Sequence, residues 1–225
     1  MPTRLNKELA FRLGVSRREA DEMIAAGRVV VGGEKARIGM SVENEEIKVD
    51  GKAVQPRDKF TYLALNKPAG YVSSRARQGD TPTLYELLPE KYRGLKTVGR
   101  LDKDSSGLLL LSDDGDFTFA MTHPKFQKMK VYEVGLDRPL EPLHQQMIGD
   151  FGVDLTDGKS RLGLERIGEG RKKWRVTMSE GRNRQVRRTF GALGYTVVKL
   201  HRIQFGKYAL GGLKEGEFQE IDEGK

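Results

Sequence analysis

The chain has 225 residues, 32% of them charged, with no cysteine and a formal net charge of +8. Disulfides, thiolate metal sites and cysteine nucleophiles are therefore excluded. No apolar run approaches the ~20 residues of a membrane span, and the opening MPTRLNKELAFRLG lacks the apolar core of a signal peptide, so a cytoplasmic protein without membrane partners is expected.

Residues 4 to 26 read as two short helices. Leu5, Leu9 and Leu13 recur at helical spacing before Gly14 interrupts, and SRRE then offers Ser16 and Glu19 as a capping box, with Gly27 as the stop. RVVVGG and EIKVDGK read as short strands, so residues 1–58 form a small αβ module, and QPRDK (55–59) is the linker. From Tyr62 onward strands dominate: TYLALNKP, KTVGRL, GLLLLS, KVYEVGL, WRVTMS and YTVVKLHRI. Helices are expected at TLYELLP (with Thr83 and Glu86 as a possible capping box), after DDGD, at EPLHQQMI and at about 183–193. They do not alternate regularly with the strands. Residues 59–225 are thus expected to be an α+β domain with a mixed, largely antiparallel sheet flanked by helices.

Charge is concentrated late in the chain. Arg171 to Lys207 holds eleven Lys and Arg against one acid, Glu180, giving +10 there and −2 elsewhere. A one-signed block of this kind is the footprint of a polyanion partner. No phosphate loop or dinucleotide fingerprint occurs, and His123, His144 and His201 are too scattered for a metal site or a Ser-His-Asp relay. Asp102 and Asp104 have no evident third ligand, so no metal is expected.

What remains is an acid in an odd place. In GRLDKDSSGLLLL, Asp102 lies between Arg100 and Lys103, just before a run of four leucines that reads as a buried strand. In a helix at 183–193, Val186, Phe190 and Leu193 share one face, Arg184 and Arg188 point away from it, and Arg187 lies on the border. Outward arginines suit phosphates. A half-buried arginine wants a carboxylate, which makes Arg187 the candidate partner of Asp102; the alternative is that all three arginines bind RNA.

Five stretches, in order, resemble the RsuA-type ribosomal RNA pseudouridine synthases: RLNKELAFRLGVSRREADEMIAAGRVVVGG, LNKPAGYVSS, GRLDKDSSGLLLLSDDG, KVYEV and EGRNRQVRRTFGALGYTVVKLHRI. The first is similar to the S-four-type RNA-binding module of that family. The resemblance implies a catalytic aspartate at Asp102, a base-stacking tyrosine at Tyr132, a basic partner at Arg187 and a pocket leucine at Leu200. Arg100, Leu101 and Lys67 are expected to line the same pocket. Arg17, Arg18 and Arg28 in the first module, and Arg182, Arg184, Arg188 and Arg202 in the second, are expected to hold RNA. The implied reaction isomerises a uridine turned out of folded rRNA and needs no cofactor. The implied substrate is rRNA or a pre-ribosomal particle, with 16S favoured over 23S; a monomer is the default expectation, since the sequence carries no signal of oligomeric state. The competing reading is a non-catalytic rRNA-binding assembly factor on the same fold.

Overall fold

The computed structural model describes residues 2–56 and 59–222. Arg57 and Asp58, inside the expected linker, lie outside them. The chain divides into two compact units, one of Met1–Thr61 with Glu90–Lys96, the other of Tyr62–Pro89 with Thr97–Lys225.

In the first unit, α1 (Leu5–Leu13) ends at Gly14, whose φ of +72° suits a residue without Cβ. Next, α2 (Arg17–Ala25) starts on the capping box. The Glu19 backbone N–H donates to Ser16 Oγ at 3.1 Å, and the Ser16 N–H donates to Glu19 Oε2 at 2.6 Å; such a cap stabilises a helix by ~1 kcal/mol. Both helices bury leucine and isoleucine against a four-stranded antiparallel sheet of order β2-β1-β3-β4, namely β1 (Val29–Val31), β2 (Glu34–Lys35), β3 (Ile47–Val49) and β4 (Lys52–Ala53). Leu5, Leu9, Ala20, Ile24, Val29 and Ile47 form its core.

Among the described residues the second unit is built on a nine-stranded sheet. Its main strands are β5 (Tyr62–Lys67), β6 (Ser106–Ser112), β7 (Lys130–Leu136), β8 (Gly163–Arg166), β9 (Lys173–Met178), β10 (Val197–Phe205) and β11 (Phe218–Glu220), in spatial order β8-β9-β7-β10-β6-β5-β11. Only the β10–β6 pairing on this path is parallel, so the fold is α+β with a mixed, mostly antiparallel sheet. The four leucines are the middle of β6. Leu108 and Leu110 pack with Phe117 and Phe205 on one face, and Leu109 and Leu111 are as fully buried. A strand covered on both faces reads as an uninterrupted apolar run instead of alternating.

Where β6 meets β10, Gly107 pairs with Arg202 at φ +103°. A Cβ at this position would collide with the Arg202 carbonyl oxygen and lie 2.5 Å from its nitrogen. Glycine is required for the two strands to approach just after the Asp102 loop. The DDGD turn is a helix cap: Asp114 Oδ1 accepts from the N–H groups of Asp116 and Phe117, and Oδ2 accepts from Tyr62 Oη at 2.9 Å, starting α3 (Gly115–Thr122). Pro142–Gln146 forms the short α4, which continues as one π turn, Met147–Phe151. The arginine-rich helix, α5, spans Gln185–Gly191, shorter than 183–193. Among the described residues no helix is long and apolar enough to cross a membrane.

Candidate active site

Asp102 sits on a loop that other side chains hold from below. Lys67, the last residue of β5, is fully buried, and its Nζ donates to the backbone carbonyls of Pro68 (2.8 Å), Ser105 (2.8 Å) and Asp102 itself (3.2 Å). Ser73 Oγ donates to the Leu101 carbonyl at 2.7 Å and accepts from the Leu101 N–H at 3.2 Å. The Gly70 N–H donates to the Lys103 carbonyl at 2.7 Å, and the Ser105 N–H closes the turn on the Asp102 carbonyl at 3.1 Å. The stretch LNKPAGYVSS thus acts as the mount of the aspartate loop. Burial pushes the Lys67 amine down to about 8, an effect the charges of Asp102 and Asp104 oppose.

The Asp102 side chain emerges from this mount at 38% exposure, in a cleft of about 360 Å³. That volume is at the lower end of the ~300–1,000 Å³ range of small-ligand sites. Tyr132 of β7 and Leu200 and Arg202 of β10 line the cleft with Arg100 and Leu101. Strand register brings them together, because Tyr132 is opposite Arg202 and Val134 is opposite Leu200 across the antiparallel pair. Lys130, two residues before Tyr132 and so on the same face of the strand, also lines the cleft. Its amine donates to the carbonyls of Lys128 and Glu180 at 3.2 Å each, and burial, aided by the charge of Arg202, lowers its pKa.

Lys67 does not line the cleft; it lies beneath the loop, because a strand end buried on both faces leaves its side chain only the underside of the turn. Arg202 is a cleft residue but not a surface phosphate ligand. It is 2% exposed, its Nε donates to the Leu108 carbonyl at 2.7 Å, and its Nη2 has no hydrogen-bond partner among the described residues. The parallel pairing of β10 with β6 draws it into the sheet.

The arginines around α5 are also arranged differently from the helical-wheel expectation. Arg184 precedes the helix as its N-cap, in the left-handed region at φ +46°, so the 100° rule does not apply to it. Its guanidinium forks the Asp104 carboxylate at 3.0 and 2.9 Å and reaches Asp102 Oδ2 at 3.5 Å. Arg187 touches Asp104 instead of Asp102. Its Nε lies 3.2 Å from Asp104 Oδ2 without hydrogen-bond alignment, Nη2 donates to the Asp104 carbonyl at 2.8 Å, and Nη1 donates to the Val197 carbonyl at 2.6 Å. The direct, long contact to the candidate carboxylate is thus made by Arg184. Its hydrogen bonds hold the Asp104 carboxyl below the usual carboxylate range, and the half-buried Arg187 guanidinium is lowered by desolvation.

Arg182 and Arg188 are engaged inside the protein. Arg188 forks Asp157 at 2.9 and 2.7 Å, and Arg182 bonds Asp157, Glu180 and the carbonyls of Gly158 and Lys159. Among the candidates of the first unit, Arg28 is forked to Asp50 and Arg17 donates to Asn6, whereas Arg18 is exposed. Ser73, Lys130 and Glu180 are not among the sequence candidates, and Asp104 is one only as a metal ligand beside Asp102, a reading set aside for want of a third ligand. Only Asp104 carried a visible signal, its place two residues after Asp102 in a loop facing a basic block.

The RNA pseudouridylate synthase family model matches residues 61–192, and the S4 domain model matches residues 3–46. The chain belongs to the RNA pseudouridylate synthase family. It is 36% identical over 97% of its length to the ribosomal small subunit pseudouridine synthase A of Yersinia pestis, of which 94% is covered. It is 34% identical, again over 97% of its length, to the ribosomal large subunit pseudouridine synthase B of Bacillus subtilis, of which 91% is covered. A crystal structure of a pseudouridylate synthase superposes with a TM-score of 0.68 at 34% identity, covering 97% of this chain and 96% of that one. The protein is a pseudouridine synthase with an S4 domain, and the cleft around Asp102 is its candidate active site.

Proposed function

We propose that this pseudouridine synthase acts on ribosomal RNA, that its target is a uridine of the small-subunit 16S molecule, and that Asp102 is the essential carboxylate. The reaction breaks the C1′–N1 bond, turns the freed uracil, joins C1′ to C5, and moves the C5 proton off as N1 regains one; composition is unchanged. Such chemistry calls for a fixed carboxylate at the sugar and a flat surface for the base. The observation that carries the reading is the convergence in one cleft of Asp102, on a loop pinned by Lys67 and Ser73, with Tyr132 and Leu200.

A uridine stacked in folded RNA is out of reach of this cleft, so the base has to be extruded, at a cost on the order of a few kcal/mol. Tyr132 supplies the face on which it stacks. Its hydroxyl takes part in proton transfer at C5. Asp102 meets the ribose either as a nucleophile at C1′, in parallel with the carboxylate of retaining glycosidases, or as a base toward a ribose proton. The enzyme works as a cytoplasmic monomer without a cofactor on rRNA or a pre-ribosomal particle, with Arg18 and the S4 fold contributing shape-based RNA binding. The 16S assignment rests on LNKPAGYVSS and VVKLHRI, which lean toward the small-subunit branch.

The test is carbodiimide mapping of 16S and 23S rRNA from a strain lacking the protein. One missing stop in 16S, restored by the wild-type chain and not by Asp102→Asn, is the expected result. A missing stop in 23S alone overturns the subunit, and restoration by Asp102→Asn overturns the carboxylate. Unchanged modification with retained rRNA binding favours the assembly-factor reading.

A further inference from the structure

Helix α3 presents an aromatic ring where a surface helix is normally polar. Phe117 and Met121 face the core, whereas Phe119 is 47% exposed. Around it the chain gathers further aromatic surface. His123, one turn on, lies 4.6 Å from Phe119 ring to ring, and the 3-10 turn Pro124–Phe126 returns Phe126, 41% exposed, to 5.8 Å from Phe119 at an interplanar angle of 90°. The turn is fixed at both ends: His123 Nδ1 accepts from the Lys125 N–H at 3.2 Å, and Gln127 stops it at φ +46°. Lys125 Nζ stands 5.0 and 4.7 Å from the centroids of the two phenyl rings.

Core packing does not account for rings this exposed, and an exposed apolar cluster of this kind marks a contact surface. Its place distinguishes between occupants. Thr122, His123, Pro124 and Lys128 form part of the same cleft wall as Asp102 and Tyr132, so the aromatic corner is continuous with the catalytic cleft. Flat rings beside ammonium groups match an unpaired nucleobase and its phosphate. A protein partner would not need the patch to run into the cleft.

We infer that Phe119, His123 and Phe126, with Lys125, form a stacking platform for an unpaired base next to the target uridine in the RNA. This inference rests on the reading of the cleft as the pocket for an extruded uridine. Extrusion strips a stacking partner from the neighbouring base, and the platform supplies a replacement.

The test uses an oligouridine carrying a single 2-aminopurine, a probe that contains no rRNA sequence; absence of any quench with the wild type overturns the platform. Wild-type enzyme and Asp102→Asn should quench the fluorophore by stacking. Phe119→Leu and Phe126→Leu, which keep apolar volume but lose the flat face, should abolish the quench and weaken binding about 5- to 150-fold, the range for loss of one base–aromatic stack. Phe126→Trp should retain it, which guards against a folding artefact, and Leu143→Ala, an exposed leucine outside the cleft, should bind as wild type. On an rRNA substrate the two Leu variants should raise KM by a similar factor. Unchanged quench and affinity in both Leu variants overturns the platform, as does a change of oligomeric state without a change in RNA affinity. Wild-type inactivity on rRNA with the quench intact overturns the rRNA reading instead and leaves the stacking result in place.

Discussion

Replacing Lys67 with Met separates the mount of the Asp102 loop from the stability of the fold. Methionine has a similar length and no charge. All three carbonyls lose the bond the ammonium gave them, but that of Asp102 still accepts from the Ser105 N–H, so the cost is counted for two, Pro68 and Ser105. At ~1–3 kcal/mol for each buried acceptor the loss is ~2–6 kcal/mol. Against this stands the cost of keeping an ammonium buried: a fall from 10.5 to about 8 corresponds to ~3 kcal/mol at ~1.4 kcal/mol per pH unit. The net effect therefore lies between a gain of ~1 kcal/mol and a loss of ~3 kcal/mol. Turnover should suffer far more, because a loop displaced by ~1 Å can cost ~100-fold in rate.

The wild type carries the same test in its pH dependence. A neutral amine has two N–H groups for three carbonyls, so activity should fall as pH rises through about 8. The stability contribution of Lys67 has the opposite sign. Its folded pKa lies below the unfolded value, so between about 8 and 10.5 the unfolded chain binds more protons and stability rises with pH. Urea unfolding and single-turnover kinetics on an rRNA fragment, each run across pH for wild type and Lys67→Met, read both quantities. Unaltered turnover in the variant refutes the mount. A loss well above ~3 kcal/mol makes Lys67 a residue of the fold instead.

Asp102→Asn should eliminate pseudouridine formation while leaving the melting temperature and RNA affinity near wild type, as followed by nucleoside analysis and filter binding; residual product at wild-type rate would remove Asp102 from the chemistry. Arg184→Ala should lower turnover with little change in stability, since its partners are exposed carboxylates. Arg187→Ala should also destabilise by ~1–3 kcal/mol, because the Val197 and Asp104 carbonyls lose a charged donor; equal denaturation midpoints for the two variants would contradict this. Gly107→Ala should destabilise by ~3 kcal/mol or more through its collision with the Arg202 backbone, and wild-type stability by urea titration would show that β6 and β10 can separate there.

Features governed by neighbours in sequence were legible in advance. The Ser16–Glu19 and Thr83–Glu86 boxes, the Asp114 cap and the leucine strand depend on residues within four positions of one another. Geometry set by distant strands was not. Arg202 and Leu108 meet across 94 positions, and nothing near Arg202 signals that it will be buried. The helical wheel misdirected Arg184 for a local reason: periodicity was extended two residues beyond the helix, onto a residue in the left-handed region. Lys67 was recognised by motif alone, and its bonds to the loop come from 35 and 38 residues away.

The basic block shows the same limit in electrostatic form. Its +10 is a count along the chain, but six of its eleven cations, Arg175, Arg182, Arg184, Arg187, Arg188 and Lys199, have acids within 4 Å, and all six pair with acids that lie outside the block, Arg182 also with Glu180 inside it. Arg202 is bonded to a carbonyl in the sheet. Much of the block therefore holds the cleft together from Asp104 and Asp157, and the cations left to meet phosphate at the cleft include Arg100 and Lys128, which the charge count did not single out. A one-signed run in sequence is thus a weaker measure of RNA contact than the pairing of each charge in space, because an arginine that accompanies a catalytic loop and one that meets a phosphate look alike until their partners are known.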